Sequence, residues 1–291
     1  MIRVAVIGAG HWGPNLIRNF HNGHASEVVW IVDQDAARLA EVQTRFPDVR
    51  VTQESARAFS DPAVDAVVIA TPTITHFTLA QAALQRGKHV LVEKPLATDS
   101  WQATELLQTA ASHQLILMVG HVFLYNSAIR KVKEYLGAAH LGRVYYVSMV
   151  RTNLGPTRLD VNAAWDLAAH DLSIVNYWLD AGPLSVSAIG GTWINDDIED
   201  AIFATLKYPQ DVLVNLHASW LNARKARDIT VPKVTVGEPL AAQCAHFLEC
   251  IVMGKQPFTG AREGIAVVRA LEAMQRSIRA RGCEQDVEVS C

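Results

Sequence analysis

Two short stretches carry side chains able to move protons. The first is His89-Val90-Leu91-Val92-Glu93-Lys94-Pro95, an apolar strand closed by an acid, an amine and a proline. Such a strand sets Lys94 at the carboxyl edge of a sheet, where its ammonium can donate to a hydroxyl. A solvated lysine at a strand end with proline closing the strand would account for the tripeptide equally well. The second stretch reads as a helix from Asn162 to Ile174. Asp166, His170, Ser173 and Tyr177 recur there at i, i+4, i+7 and i+11, beside an apolar stripe of Leu167, Ile174 and Trp178. A carboxylate and an imidazole on one face form an acid/base pair, although an Asp and His can also stabilise a helix without chemistry. No third ligand joins them, so no metal is expected.

The elements that must position these groups begin at the first residues. A strand over Arg3 to Ile7 runs into Gly8-Ala9-Gly10-His11-Trp12-Gly13, followed by a helix with Trp12, Leu16 and Phe20 at helical spacing. In this G-x-G-x-x-G turn the first glycine permits the bend and the second admits a pyrophosphate to the backbone. The third lets helix and strand pack closely, with the helix N-terminus facing the anion. Gly8, Gly10, His11, Trp12 and Gly13 are therefore candidate cofactor contacts. A second strand, Glu27 to Val32, ends at Asp33, placed to receive the ribose hydroxyls. A carboxylate there repels a 2'-phosphate and Gln34 and Asp35 supply no cation, which favours NAD over NADP. Arg38 is the one local argument against this.

Strands over Ala66 to Ala70, His89 to Val92 and Leu115 to Val119 alternate with helices over Thr75 to Gln85 and Ser100 to Ser112. The fold class expected is α/β, a Rossmann domain with a doubly wound parallel sheet over residues 1–122. Ligands of such sheets lie at the carboxyl ends of the strands, which brings Gly8, Asp33, Thr71 with Pro72, Glu93 and His121 to one crevice. His76 is a further candidate. Later, alternating segments over Arg143 to Thr152, Ser185 to Trp193, Ala201 to Tyr208 and Val212 to Trp220 read as a largely antiparallel sheet. They define an α+β domain over 123–291.

With 291 residues the chain has room for two domains of about 100 to 200 residues each. A net charge of -3 makes nucleic acid and anionic membrane poor partners. No segment approaches the ~20 apolar residues of a membrane helix, no secretory signal opens the chain, and a cytoplasmic location is expected. Cys244, Cys250, Cys283 and Cys291 form no C-x-x-C pair and are expected to be free thiols.

Taken in order, Gly8-x-Gly10-x-x-Gly13, Thr71-Pro72 with His76, Glu93-Lys94-Pro95 and Asp166-x-x-x-His170 resemble the Gfo/Idh/MocA family of NAD(P)-dependent oxidoreductases over nearly the whole chain. Three runs are similar to that family's UDP-N-acetylglucosamine 3-dehydrogenases. They are Gly10 to Asn15, Gly120 to Asn126, and Arg151-x-Asn153-Leu154-Gly155 with Asp160 to Leu167. The resemblance implies a nucleotide-sugar substrate, Glu93 near the nicotinamide ribose, a cis peptide at Pro95 and a homodimer or homotetramer. Oxidation of a secondary alcohol needs a base and a group to hold developing alkoxide charge. His170 is assigned as base, Lys94 as donor to the reacting oxygen or alternate base, and Asp166 as orienter of His170 or of the sugar. Tyr125, Asn126, Arg151, Asn153, Arg158 and Asn162 are candidate substrate contacts beside Lys94, Asp166 and His170, since a guanidinium fork suits phosphate. Alternatives are another sugar or cyclitol dehydrogenase, a nucleotide-ketosugar reductase, or a non-catalytic NAD-binding regulator. A sensor would need the cofactor pocket but not Lys94, Asp166 and His170. Relative to the family, the segment from Asp228 to Thr235 reads as truncated near Val231 and Pro232, which points either to a loop missing there, the favoured reading, or to a shortened domain that lacks part of its sheet edge.

Overall fold

A computed structural model describes residues 1–138, 142–155, 157–194, 196–226 and 237–288. The expectation concerning Val231 and Pro232 falls outside those residues. The chain divides into two compact units, Met1–Val122 with Glu238–Gly264, and Phe123–Gly237 with Ile265–Cys291.

In the first stretch of chain β1 (Ile2–Ile7), α1 (Gly13–His21), β2 (Ser26–Val32), α2 (Ala36–Arg45), β3 (Arg50–Thr52), α3 (Ser55–Ser60), β4 (Ala66–Ile69), α4 (His76–Leu84), β5 (His89–Glu93), α5 (Ser100–Ser112) and β6 (Leu117–Gly120) alternate. Their strands form one parallel sheet in the order β3-β2-β1-β4-β5-β6. Val4, Ala5 and Val6 of β1 and all four residues of β4 are fully buried, as continuous apolar strands covered on both faces must be. Strand order reverses at β1, which pairs with β2 on one side and β4 on the other, so the ligand crevice is expected beyond the ends of these strands. The elements α2, β3 and α3, between Asp33 and Ala66, extend the alternation beyond the strands and helices read from the sequence.

The chain continues through α6 (Ser127–Gly137), β7 (Tyr146–Leu154), α7 (Ala169–Leu179), β8 (Ser185–Gly191), β9 (Ala201–Tyr208), β10 (Val212–Ser219), β11 (Leu221–Ala226), α8 (Pro239–Met253), α9 (Ala261–Arg279) and β12 (Gln285–Asp286). A second sheet runs β11-β7-β10-β9-β8-β12. It is mixed: β10 pairs with β7 in parallel, whereas the other neighbours are antiparallel. From Ile202 to the end of β9 burial alternates, with Ile202, Ala204, Leu206 and Tyr208 inward and Phe203, Thr205 and Lys207 outward. On the inward side Ala188 of β8 donates its N–H to Ser277 of α9 at 2.8 Å.

The sequence reading placed everything after residue 122 in the second domain, but Glu238–Gly264 packs within the first unit. The physical reason is long-range. Phe247 of α8 meets Phe20 of α1 edge-on at 6.4 Å, Arg18 pairs with Glu238 at 2.7 Å, and the Val119 N–H donates to the Thr259 carbonyl at 2.8 Å.

Candidate active site

The cofactor cradle of the first unit begins at the turn after β1. Gly8 has φ +98°, and a Cβ there would lie 2.6 Å from the Ala70 carbonyl oxygen. A Cβ on Gly13 would lie 2.1 Å from the Gly8 carbonyl oxygen, so both positions require glycine by close approach. At Gly10 a Cβ would meet only Arg38 Nη1, at 3.5 Å, which leaves the middle of the turn open. The first turn of α1 contains no acidic residue and no side-chain cap; Pro14 has no N–H and the Asn15 N–H donates to the Trp12 carbonyl at 3.1 Å, so the helix end carries no side chain that would compete with an anion. A cleft of about 580 Å³ adjoins this turn, bounded by Gly10, Asp33, Arg38, Ser55, Thr71 and Leu79. Asp33 is largely buried: Oδ2 accepts from the Ala9 N–H at 2.7 Å and Oδ1 from the Asp35 N–H at 2.9 Å. Arg38 lies 3.8 Å from Asp33 and 3.4 Å from Asp35, engaged by two carboxylates. The open glycine turn, uncapped helix end and fixed acid fit the pyrophosphate and ribose of NAD. His11 and Trp12 lie exposed in the same turn.

The strand ends carry the rest of this unit's candidates. The Lys94–Pro95 peptide is cis. The Trp12 indole N–H donates to Glu93 Oε1 at 2.8 Å, and the Lys94 N–H to Glu93 Oε2 at 3.3 Å. A Cβ on Gly120, the β6 residue opposite Glu93, would come within 2.9 Å of that carboxylate, so Gly120 makes the room for it. Burial pushes the Glu93 carboxyl up to about 7, with the Lys94 charge and the Trp12 bond opposing. His121 is 1% exposed, and neither ring nitrogen has a hydrogen-bond partner among the described residues. Burial, aided by the Lys94 charge, lowers it to about 4 and keeps the imidazole neutral. His76, expected among the cofactor contacts, is buried between loops, its Nδ1 2.7 Å from the Pro95 carbonyl and its Nε2 3.0 Å from that of Thr71. It braces the Thr71-Pro72 loop against Pro95. Thr71 Oγ1 shares a 2.7 Å bond with Thr75.

In the second unit the helix expected from Asn162 starts as a π-helical turn, Ala164–Ala168, and becomes α only at α7. Such turns recur at functional sites because they shift the side-chain register. Asp166 is held from both sides: Oδ1 accepts from Arg158 Nη1 at 3.3 Å and Oδ2 from the Trp220 indole at 3.1 Å. His170 follows at the start of α7, its ring 4.8 Å from that of Phe123 at 72°. Several residues expected to touch substrate have structural partners. Arg151 is 4% exposed and directs Nε and Nη2 to Asp171 Oδ1, at 2.8 and 2.6 Å, so its fork is occupied by a carboxylate of its own unit. Asn162 starts the helix, Oδ1 accepting from the N–H groups of Ala164 and Trp165, while Nδ2 donates to Glu199 and Gln275. Asn126 caps α6 through the Ala128 N–H. Arg158 binds Asp160 as well as Asp166. Tyr125 is buried with the Arg130 guanidinium over its ring at 5.3 Å. Asn153 differs: its buried Oδ1 has no partner among the described residues. Trp220, Asp171 and Gly120 were missed as site residues, since their partners lie far away in sequence or depend on backbone space. Among the described residues no group of three or more His, Cys, Asp and Glu could hold a metal.

Residues 2–121 match the family model of NAD-binding Rossmann-fold oxidoreductases, and residues 129–236 the Gfo/Idh/MocA C-terminal domain. The UDP-N-acetylglucosamine 3-dehydrogenase of Acidithiobacillus ferrooxidans is 32% identical over 236 residues, 79% of this chain and 71% of that protein. Its solved structure superposes with a TM-score of 0.85, covering 96% of this chain and 98% of that one at 28% identity. An inositol 2-dehydrogenase of Acidothermus cellulolyticus is 28% identical over 75% of this chain and 66% of its own length. The scyllo-inositol dehydrogenase of Lactobacillus casei, solved with NAD(H) and scyllo-inositol, shares the fold at a TM-score of 0.86 and 16% identity, covering 99% of each chain. With both domains matched in order and the nucleotide cradle built as its glycines require, the chain belongs to the Gfo/Idh/MocA family of NAD-binding oxidoreductases.

Proposed function

We propose that this NAD-dependent dehydrogenase oxidises the C3 hydroxyl of a nucleotide-linked amino sugar, UDP-N-acetylglucosamine, to the 3-keto sugar. Bound NAD supplies the hydride acceptor. His170 is assigned to take the hydroxyl proton, and Lys94 to donate to the reacting oxygen as alkoxide charge develops or to serve as the alternate base. Asp166, its two oxygens fixed by Arg158 and Trp220, is an acceptor for a sugar hydroxyl or for His170. Asn153, whose buried carbonyl oxygen has no partner among the described residues, is a second acceptor for the sugar. Glu93 and the turn Gly8 to Gly13 bind the cofactor side of the reaction.

The observation that carries the substrate is the 32% identity with a UDP-N-acetylglucosamine 3-dehydrogenase over most of both chains. The 28% identity with an inositol 2-dehydrogenase supports a second reading, oxidation of a free cyclitol by the same residues. A panel of nucleotide sugars and inositols with NAD, followed by absorbance of the reduced cofactor, separates the two. Turnover on UDP-N-acetylglucosamine is expected; turnover on inositol alone would replace the first reading with the second.

We also infer a homodimer or homotetramer built on the outer face of the second sheet. Ile189, Phe203, His217 and Val150 are aligned neighbours on β8, β9, β10 and β7, forming a largely apolar row across four strands. Phe203 and His217 stack at 4.3 Å, and Ile189 and Phe203 are about half exposed. Apolar rows of this kind favour subunit packing.

A further inference from the structure

The second unit contains a buried ion pair that the proposed reaction does not use. Arg151 on β7 and Asp171 on α7 have side chains 5% and 3% exposed, and both Nε and Nη2 of the arginine converge on one carboxylate oxygen. Removing two charges from water costs several kcal/mol per ion, and apolar residues of similar volume often give equal or better stability. The pair is also incompletely satisfied, because Arg151 Nη1 is buried with no partner among the described residues. Stability alone is a poor reason for such an arrangement.

Its surroundings suggest another role. The Arg151 guanidinium also lies over the Phe123 ring, with Cζ 4.5 Å from the centroid, and that ring meets the His170 imidazole in a T-shaped contact. Asp171 directly follows His170 in the chain. One guanidinium thus fixes the helix turn that carries His170, through Asp171, and the wall against which the imidazole rests, through Phe123. The Ser173 hydroxyl donates to the His170 carbonyl at 2.7 Å and secures the same turn.

We propose that Arg151, Asp171 and Phe123 are positioning residues for His170, holding its imidazole in one rotamer and at one depth. This rests on the assignment of His170 as the base. A base misplaced by about 1 Å loses on the order of 100-fold in rate without a matching loss of binding. The positioning set therefore acts on kcat rather than on KM.

Two variants test it. Phe123→Leu keeps an apolar side chain and removes the ring contact. The double substitution Arg151→Met with Asp171→Leu removes the pair without leaving an uncompensated buried charge, as Arg151→Met alone would. For each, kcat, KM for the sugar and the pH profile of kcat/KM are measured, together with the His170 titration by NMR in the protein without substrate. The expected result is a fall in kcat of roughly tenfold or more with KM changed by less than about threefold, and a shifted His170 titration. Wild-type kcat and an unshifted titration in Phe123→Leu would overturn the proposal, as would the same result in the folded double variant. His170→Ala distinguishes the two levels: wild-type turnover in it would remove the base assignment itself, whereas an inactive His170→Ala beside an unchanged Phe123→Leu would remove only the positioning role.

Discussion

Glu93 and His121 sit beside Lys94 and respond to burial in opposite directions. Glu93 holds its proton to about 7 in the folded protein, against an ordinary 4.5, so the unfolded chain binds fewer protons through that window and this group's contribution to stability falls as pH rises. His121 is lowered from 6.5 to about 4, so the unfolded chain binds more protons there and its contribution falls as pH drops through that range. Glu93→Gln should therefore gain on wild type in urea unfolding between about pH 5 and about pH 8, by on the order of 1 to 3 kcal/mol. A difference independent of pH would contradict the burial of the carboxylate. At the residues assigned to proton transfer, Lys94→Ala and His170→Ala should each lower turnover by roughly 100-fold or more while NAD affinity by calorimetry stays near wild type. Wild-type turnover in either variant would remove that residue from the mechanism. Lys94, Asp166 and His170 could be singled out from the sequence because short local patterns carry them. The partners of Asp166 could not, since Trp220 lies fifty-four positions away and reaches it only through the folded sheet.

At the scale of elements, the turn after β1 and the acid after β2 were legible because glycine spacing and strand ends are local properties. The turn also makes a cofactor prediction. Asp33 is fixed by two backbone N–H groups and cannot swing away easily, and Arg38 is held by Asp33 and Asp35. NAD should bind at least about tenfold tighter than NADP in calorimetry, because a 2'-phosphate would meet the fixed carboxylate. Tighter binding of NADP would show that Arg38 leaves its carboxylates to receive the phosphate. Other elements misled for definable reasons. Asn126 and Asn162 have the side-chain chemistry of sugar ligands, but an asparagine oxygen before a helix is equally suited to cap it, and both do so. Arg151 suits a phosphate in isolation, yet its fork is filled by Asp171 from another element. The π-helical turn at Ala164–Ala168 left no mark in a spacing pattern read at 3.6 residues per turn.

At the scale of the whole molecule, alternation, of strands with helices in the first sheet and of residues along the strands in the second, identified two sheets but not the parallel pairing of β7 with β10, because burial alternates alike in both directions. Nor did it show that Glu238–Gly264 returns to the first unit, a consequence of contacts such as Phe20 with Phe247 made across more than two hundred positions. The apolar row on the outer sheet face predicts a dimer or tetramer by light scattering at micromolar concentration, with Phe203→Asp shifting the mass toward the monomer. A monomeric wild type would contradict that use of the face. The central claim concerns one carbon of one sugar. It is tested most directly by supplying UDP-N-acetylglucosamine deuterated at C3 together with NAD and weighing the reduced cofactor by mass spectrometry. Transfer of the C3 hydrogen as hydride predicts a reduced cofactor heavier by one deuterium and a 3-keto sugar without it; unlabelled reduced cofactor, with the deuterium retained on the sugar, would contradict the account.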